Sequence, residues 1–473
     1  MKNRFLFLAL LFVTNAACAQ DVFFTKPYLQ IGNQPAPGSM VLVWHTVDLQ
    51  KSWSVEYRNN DKDNWHTTAA PSFTTVAVTG ITPHRVYHAN ISGLEPGNVF
   101  NYRVLQNGKI VFTSTGNAIK NAQQPYRFVA MGDIGAETPD QKALATRAYL
   151  ARPDFLVVPG DIVYENGLIS EYRTKFWPVY NADKTDSAGA PLMRSIPFIA
   201  AVGNHDASSR DLDKNPGALA YYMYWDQPLN GPTGEEGGPL LPVLKGSPAN
   251  KNAFLLAAGD AYPRMNNFSF NYGNAHWTVL DADPYTDWTS KALTDWVAKD
   301  LDDSKNAVWH FVMFHHPGFN SSREHFEQQQ MRTLSPIFEK GKVDIVFNGH
   351  VHNYQRSLPM RFVPDNNGII LWGGKDGKTN RGKIVNGQWK LDKTFDGKTN
   401  TSPNGIIYII TGAGGQELYN PEQENDPDSW QKFTAAFVST VHSLTIADVN
   451  GKTITLRQLN TEGKELDAFT ITK

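Results

Sequence analysis

Cysteine is all but missing: there is one, Cys18, in 473 residues, and it sits in a segment that reads as an address. Lys2 and Arg4 precede the apolar run 5–13, and Ala17-Cys18-Ala19 has the small-x-small form of a signal-peptidase site. Cleavage after Ala19 is expected, making 1–19 a signal peptide and leaving a chain without cysteine. That excludes a disulfide framework and a cysteine nucleophile, and makes oxidising surroundings harmless. The rival reading, lipidation at Cys18, wants a large aliphatic residue where Asn15 stands. A second apolar run of the roughly 20 residues needed to cross a bilayer is lacking too, so the expectation is an exported protein, periplasmic or extracellular.

An excess of charge of either sign is also lacking. Lys and Arg number 44 against 46 Asp and Glu, a net charge of −2, which argues against the broad basic surface that holds nucleic acid or anionic lipid. A local positive centre, such as a pair of metal ions, is not excluded. There is no internal repeat, no low-complexity tract and no evident serine-nucleophile motif, and nothing fixes the oligomeric state.

The length exceeds what one hydrophobic core usually serves, so two domains are expected. From 21 to 122 the text is strands and turns. The segments 40–44, 53–57 and 87–91 are rich in β-branched and aromatic residues, while 100–104 and 109–112 flank Asn107-Gly108, a pair suited to a two-residue hairpin. A small antiparallel β-sandwich is the predicted outcome. After a polar, proline-ended linker at 117–125 the pattern changes to short apolar runs without alternation: 128–131, 155–158, 198–202, 277–280, 311–314, 345–347 and 407–410. Such runs predict strands buried on both faces, covered by helices such as 293–301 and 326–339. The second domain, 126–473, is therefore α/β with two packed sheets, and its tail, 442–473, adds strands around Asn450-Gly451 and Glu462-Gly463. The stretch 207–265 reads as a loop-rich insertion and, following a motif residue, as a candidate for shaping the substrate site.

Most chemically suggestive residues of this domain follow the apolar runs, where strand ends of an α/β sheet present side chains to a common crevice. The endings are Gly132-Asp133, Gly160-Asp161-Ile162-Val163-Tyr164, Gly203-Asn204-His205-Asp206, Phe314-His315 and Gly349-His350-Val351-His352. Any one of them alone is ordinarily a turn or a helix cap. Together they supply carboxylates, a phenol, an amide oxygen and three imidazoles, the mixture that fills two neighbouring first-row metal sites. His350 and His352 are two apart and would share one side of an extended segment, whereas His316, adjacent to His315, would not and is expected to be structural.

These five motifs, in this order and including Tyr164, resemble those of the purple acid phosphatases of the calcineurin-like metallophosphoesterase superfamily. The segment Ile91-Ser92-Gly93-Leu94-Glu95-Pro96-Gly97 is similar to the fibronectin-III-like domain that precedes the catalytic domain in the plant-type enzymes. The resemblance implies a two-metal centre: Asp133, Asp161, Tyr164 and His352 at an Fe(III) site, and Asp161, Asn204, His315 and His350 at a site for zinc, manganese or iron(II). Asp161 would bridge. It implies hydrolysis of a phosphate monoester by attack of a metal-bound hydroxide, with His205 and His325 facing the substrate and Asp206 either orienting His205 or capping a turn. A phosphodiesterase using the same site, for cyclic nucleotides or phospholipid headgroups, is the alternative, and an inactive extracellular binding module a more distant one.

Overall fold

The computed structural model describes residues 22–365 and 384–473. The proposed leader at 1–19, with Cys18, lies outside the described residues. Two four-stranded antiparallel sheets form the N-terminal sandwich. One has the spatial order Thr25–Gln30, Ser39–Val47, His84–Ser92, Ser72–Val76, and the other His66–Thr67, Trp53–Arg58, Val99–Gln106, Lys109–Asn117. The last two strands turn at Asn107 and Gly108, both with positive φ (49° and 75°), as the right-handed twist of a tight hairpin requires. Alternate residues face inward, and Trp44 stacks on Tyr87 with ring centroids 5.3 Å apart in the core between the sheets.

The second domain is the expected pair of sheets. Six strands run in the order Phe198–Ala200, Phe155–Val158, Tyr126–Ala130, Ser443–Asn450, Thr453–Asn460, Glu465–Thr472, so the C-terminal strands extend the sheet that begins the domain. Seven form the other, with Ala275–Val279, Trp309–Met313, Ile345–Asn348 and Ile407–Thr411 parallel at its centre. The absence of alternation has a plain cause. In Phe155–Val158, Phe155 and Val157 enter the inter-sheet core while Leu156 and Val158 meet the helical layer. The inter-sheet core is aromatic: Phe128 lies 5.2 Å from Trp277 and 5.8 Å from Phe311, centroid to centroid. Pro139–Ala151, capped by Thr138 and with proline in its first turn, covers the six-stranded sheet through Leu144, Ala145 and Ala148. Lys291–Asp303 covers the other through Leu293, Val297 and Leu301.

Two expectations need correction. The helix predicted over 326–339 is a 3₁₀ turn, Gln330–Leu334, followed by a short helix, Ser335–Lys340. Pro336 has no N–H to continue an earlier helix and sits instead in the first turn of a new one. The insertion 207–265 is not merely loops: Pro248–Ala258 is a helix with Ser247 as its cap. The insertion also meets the motif strands and turns, where Tyr221 Oη and Gln227 Nε2 donate to Ala200 O (3.0 and 3.1 Å) and Ser208 Oγ to Glu165 O (3.1 Å). It packs on the sandwich, where Tyr28 Oη donates to Tyr224 O (2.7 Å), Gly32 N to Asp226 O (3.0 Å) and Thr79 Oγ1 to Asn250 Oδ1 (2.7 Å). Among the described residues no helix is long and apolar enough to cross a membrane.

Candidate metal centre

The five motifs lie at the C-terminal ends of Tyr126–Ala130, Phe155–Val158, Phe198–Ala200, Trp309–Met313 and Ile345–Asn348, three from one sheet and two from the other. The crevice is thus where the two parallel portions end side by side. Their turns are interlocked: Asp133 N donates to Gly160 O (3.1 Å), Ile134 N to Asp161 O (3.0 Å), and His350 N to the Asp133 carboxylate (3.0–3.1 Å). Asp133, Asp161 and His350 are held at φ of 60°, 51° and 67°, a left-handed conformation that costs a non-glycine residue energy and persists only where surroundings over-determine it. For His350 this overturns the extended geometry expected of the His350-Val351-His352 segment. A turn, with Val351 N bonded to Gly349 O (2.8 Å), presents the two imidazoles instead.

The side chains converge as two groups. In the first, Tyr164 Oη lies 3.0 Å from Asp133 Oδ1 and 3.3 Å from His352 Nε2, and His352 Nε2 lies 3.5 Å from Asp133 Oδ1. In the second, His315 Nε2 lies 3.2 Å from Asp161 Oδ2 and 3.1 Å from Asn204 Oδ1. Ligand atoms of Asp161, His315 and His350 fall within 4.8 Å of one another. All but Asn204 are buried. Three hydrogen bonds orient the rings. His315 Nδ1 donates to Pro159 O (2.8 Å) and His352 Nδ1 to Glu417 O (2.7 Å), which leaves each Nε2 lone pair facing inward. His350 Nε2 lies 2.7 Å from Gln328 Oε1, which selects the tautomer with its lone pair on Nδ1.

Burial pushes the Asp161 carboxyl up, but the charge and hydrogen bond of His315 outweigh it and hold Asp161 well below the carboxylate range. Burial likewise opposes protonation of His315, yet Asp161 raises it to about 10. His350 is driven the other way, by burial and then by the neighbouring imidazoles, and stays neutral with a lone pair to give. Burial, followed by Asp133 and Asp161, raises the Tyr164 phenol far above its ordinary value, so only a strongly acidic cation would bind it as phenolate. Carboxylate, phenol, amide and imidazole donors converging on a water-poor crevice fit a pair of first-row ions, whose binding would release the proton that Asp161 holds on His315.

His205 is half-buried. Its ring lies 4.5 Å from that of Tyr164, its backbone N–H donates to Asp161 Oδ1 (2.8 Å), and ring Nδ1 bonds Glu165 O (2.9 Å). His325 reaches the centre from the other side, its ring 4.0 Å from that of His350. Asp206 does not orient His205. Its carboxylate turns inward to accept from Gly203 N (2.9 Å) and Ile162 N (3.1 Å), tying the Asn204 turn to the Asp161 turn. His316 is buried with its ring 4.0 Å from that of His350. Two residues escaped the sequence reading. Gln328 bridges His350 and His325 (Nε2 to Nδ1, 3.3 Å), and Tyr419 stacks on His352 at 4.1 Å. The signal for Tyr419 is the run 407–410, which closes in Thr411-Gly412-Ala413-Gly414-Gly415 much as four of the five motif runs close in a glycine.

Residues 126–354 match the family description "Calcineurin-like phosphoesterase" and residues 25–128 match "Purple acid Phosphatase, N-terminal domain". The chain is 26% identical over 281 residues to Purple acid phosphatase 18 of Arabidopsis thaliana, covering 58% of this chain and 53% of that protein. To Purple acid phosphatase 21 of the same plant it is 24% identical over 331 residues, covering 68% and 64%. It therefore spans about half to two thirds of these relatives' length. Among solved structures it resembles the purple acid phosphatase PPD1 from yellow lupin (Lupinus luteus) seeds, with a TM-score of 0.63 at 16% identity over 94% of this chain and 74% of that one.

Proposed function

The chain belongs to the purple acid phosphatase family of calcineurin-like phosphoesterases, whose members are binuclear metal enzymes, and on that premise we propose that it hydrolyses phosphate monoesters at two metal ions. The observation that carries this reading is the convergence of two donor groups, Asp133–Tyr164–His352 and Asp161–Asn204–His315–His350, on one crevice. Asp133, Asp161, Tyr164 and His352 would hold Fe(III), and Asp161, Asn204, His315 and His350 would hold zinc, manganese or iron(II), with Asp161 shared. When bound, such a pair would acidify water and offset the charge gathering on the phosphoryl oxygens.

The protein's own groups supply the rest. His205 carries its fixed N–H on Nδ1, held by Glu165 O, so Nε2 is the atom that exchanges a proton with an ester oxygen. His325 is placed to do the same from the opposite side, and Asp206 keeps the two ligand turns in register. Export from the cytoplasm belongs to the same proposal and rests on residues 1–19 of the sequence.

Asp161→Ala removes the shared ligand and should abolish metal uptake, measured by elemental analysis. Hydrolysis of p-nitrophenyl phosphate should fall by about 10³-fold or more. A folded variant that hydrolyses the ester undiminished would refute the assignment, and a wild type that cleaves only bis(p-nitrophenyl) phosphate would make it a diesterase. Tyr164→Phe should bind iron without a visible charge-transfer band; a retained band would mean that another phenolate supplies it.

A further inference from the structure

Beside His325 lies a cavity of about 530 Å³, lined by Ser321, Arg323, His325, Phe326 and Gln328 among others. It opens from the metal centre, because His325 and Gln328 line it and both touch His350. We propose that this cavity is the leaving-group subsite and that it selects an uncharged polyhydroxylated leaving group, of the kind a sugar phosphate presents; the proposal rests on the phosphatase reading above.

The floor of the cavity is rigid and internally bonded. Ser321 Oγ pairs with Thr434 Oγ1 (2.6 Å) and accepts from Gln431 N (2.8 Å), while Ser322 Oγ donates to Asn420 Oδ1 (2.5 Å). The rim is not saturated. Arg323 spends one guanidinium nitrogen on Glu422 (3.1 Å) and is 63% exposed, which among the described residues leaves two nitrogens for a ligand. Gln431 also lines the cavity, and among the described residues its carboxamide has no partner. Glu327 adds an acceptor. An apolar leaving group would strip water from these groups and return nothing, whereas a polyol offers both donors and acceptors, and sites built this way discriminate strongly. Arg323 is the cation of the rim and faces two carboxylates, Glu327 and its partner Glu422, so no excess of positive charge awaits a second phosphate. Phe326 supplies an apolar face for the C–H side of a sugar ring.

The test compares glucose 6-phosphate with benzyl phosphate, two esters of primary alcohols that differ in hydroxylation. Wild type should favour the sugar ester in kcat/KM, and Arg323→Ala and Gln431→Leu should each lower the ratio about tenfold, through KM rather than kcat. Calorimetric titration with glucose 6-phosphate and with inorganic phosphate gives a readout independent of turnover. No preference in wild type, or a ratio that neither variant moves, overturns the subsite. If neither ester is hydrolysed but glucose 6-phosphate binds tighter than phosphate in wild type and not in the variants, the phosphatase reading falls, and with it the leaving-group role, while the cavity's selectivity for a polyol stands. If the two ligands bind alike and neither ester is hydrolysed, both fail.

Discussion

Gly203 carries no side chain because Asp161 occupies the space one would need. A Cβ there would lie 2.1 Å from Asp161 N and 2.3 Å from its Oδ1, and one on Gly160, which also has φ of +87°, would lie 2.4 Å from His315 Nδ1. The glycines of the motifs thus let neighbouring turns approach until their donors meet, rather than merely ending strands. Gly203→Ala should push Asp161 out of place and lower metal affinity about 10- to 100-fold with the fold retained, as judged by circular dichroism and metal titration. Undiminished uptake would show that the turn can give way. Spacing in the sequence marked these glycines as turn formers, but their contacts come from residues 42 and 155 positions away and leave no local trace.

At the scale of elements, the turn that bears Tyr164 is held from behind by one carboxylate. Glu171, nearly buried, accepts from the backbone N–H of Glu165, of Asn166 (3.1 Å) and of Leu168 (2.8 Å), and Lys175 Nζ donates to Tyr164 O (2.6 Å). The same turn offers Glu165 O to His205, so one carboxylate sets both a proposed ligand and a proposed proton carrier. Glu171→Ala leaves three buried or half-buried donors without a partner and should cost about 2 kcal/mol of stability by urea denaturation, with weaker iron retention on dialysis. A variant with wild-type midpoint and iron content would assign the turn's shape to other contacts. Nothing in the sequence distinguishes Glu171 from a solvent-facing helical glutamate. Its role depends on a turn that folds back on its own helix.

At the scale of the whole molecule, the two domains meet over a buried pair of imidazoles. His45 Nε2 donates to Tyr28 Oη (3.0 Å), which donates in turn to Tyr224 O. His84 Nδ1 donates to Thr82 O (3.0 Å), and its Nε2 accepts from Tyr224 Oη (2.9 Å). Both rings are neutral. Burial, then the neighbouring His84 and Arg173, depresses His45, and burial brings His84 down from 6.5 to about 4. Between those values the unfolded chain binds a proton that the folded one refuses, so stability is intact above about pH 6.5 and is lost as pH falls to about 4, by about 3 kcal/mol for His84. Urea midpoints measured across that window should fall steeply in wild type and less steeply in His84→Gln, and equal slopes would overturn the assignment. The interface also shows where inference from sequence stopped. The apolar runs, the glycine-bearing endings and the hairpin at Asn107-Gly108 were legible because strand burial, tight turns and donor type are properties of a few consecutive residues. The sequence by itself therefore determined two packed sheets, a preceding sandwich and the residue types that meet at the crevice. Only the tertiary structure decided that Asp206 braces turns instead of aiming His205, that the insertion 207–265 grips the sandwich, and that Gln328 and Tyr419 flank the imidazoles. Each of these depends on segments brought together across the fold, and no periodicity within a single segment encodes its partner.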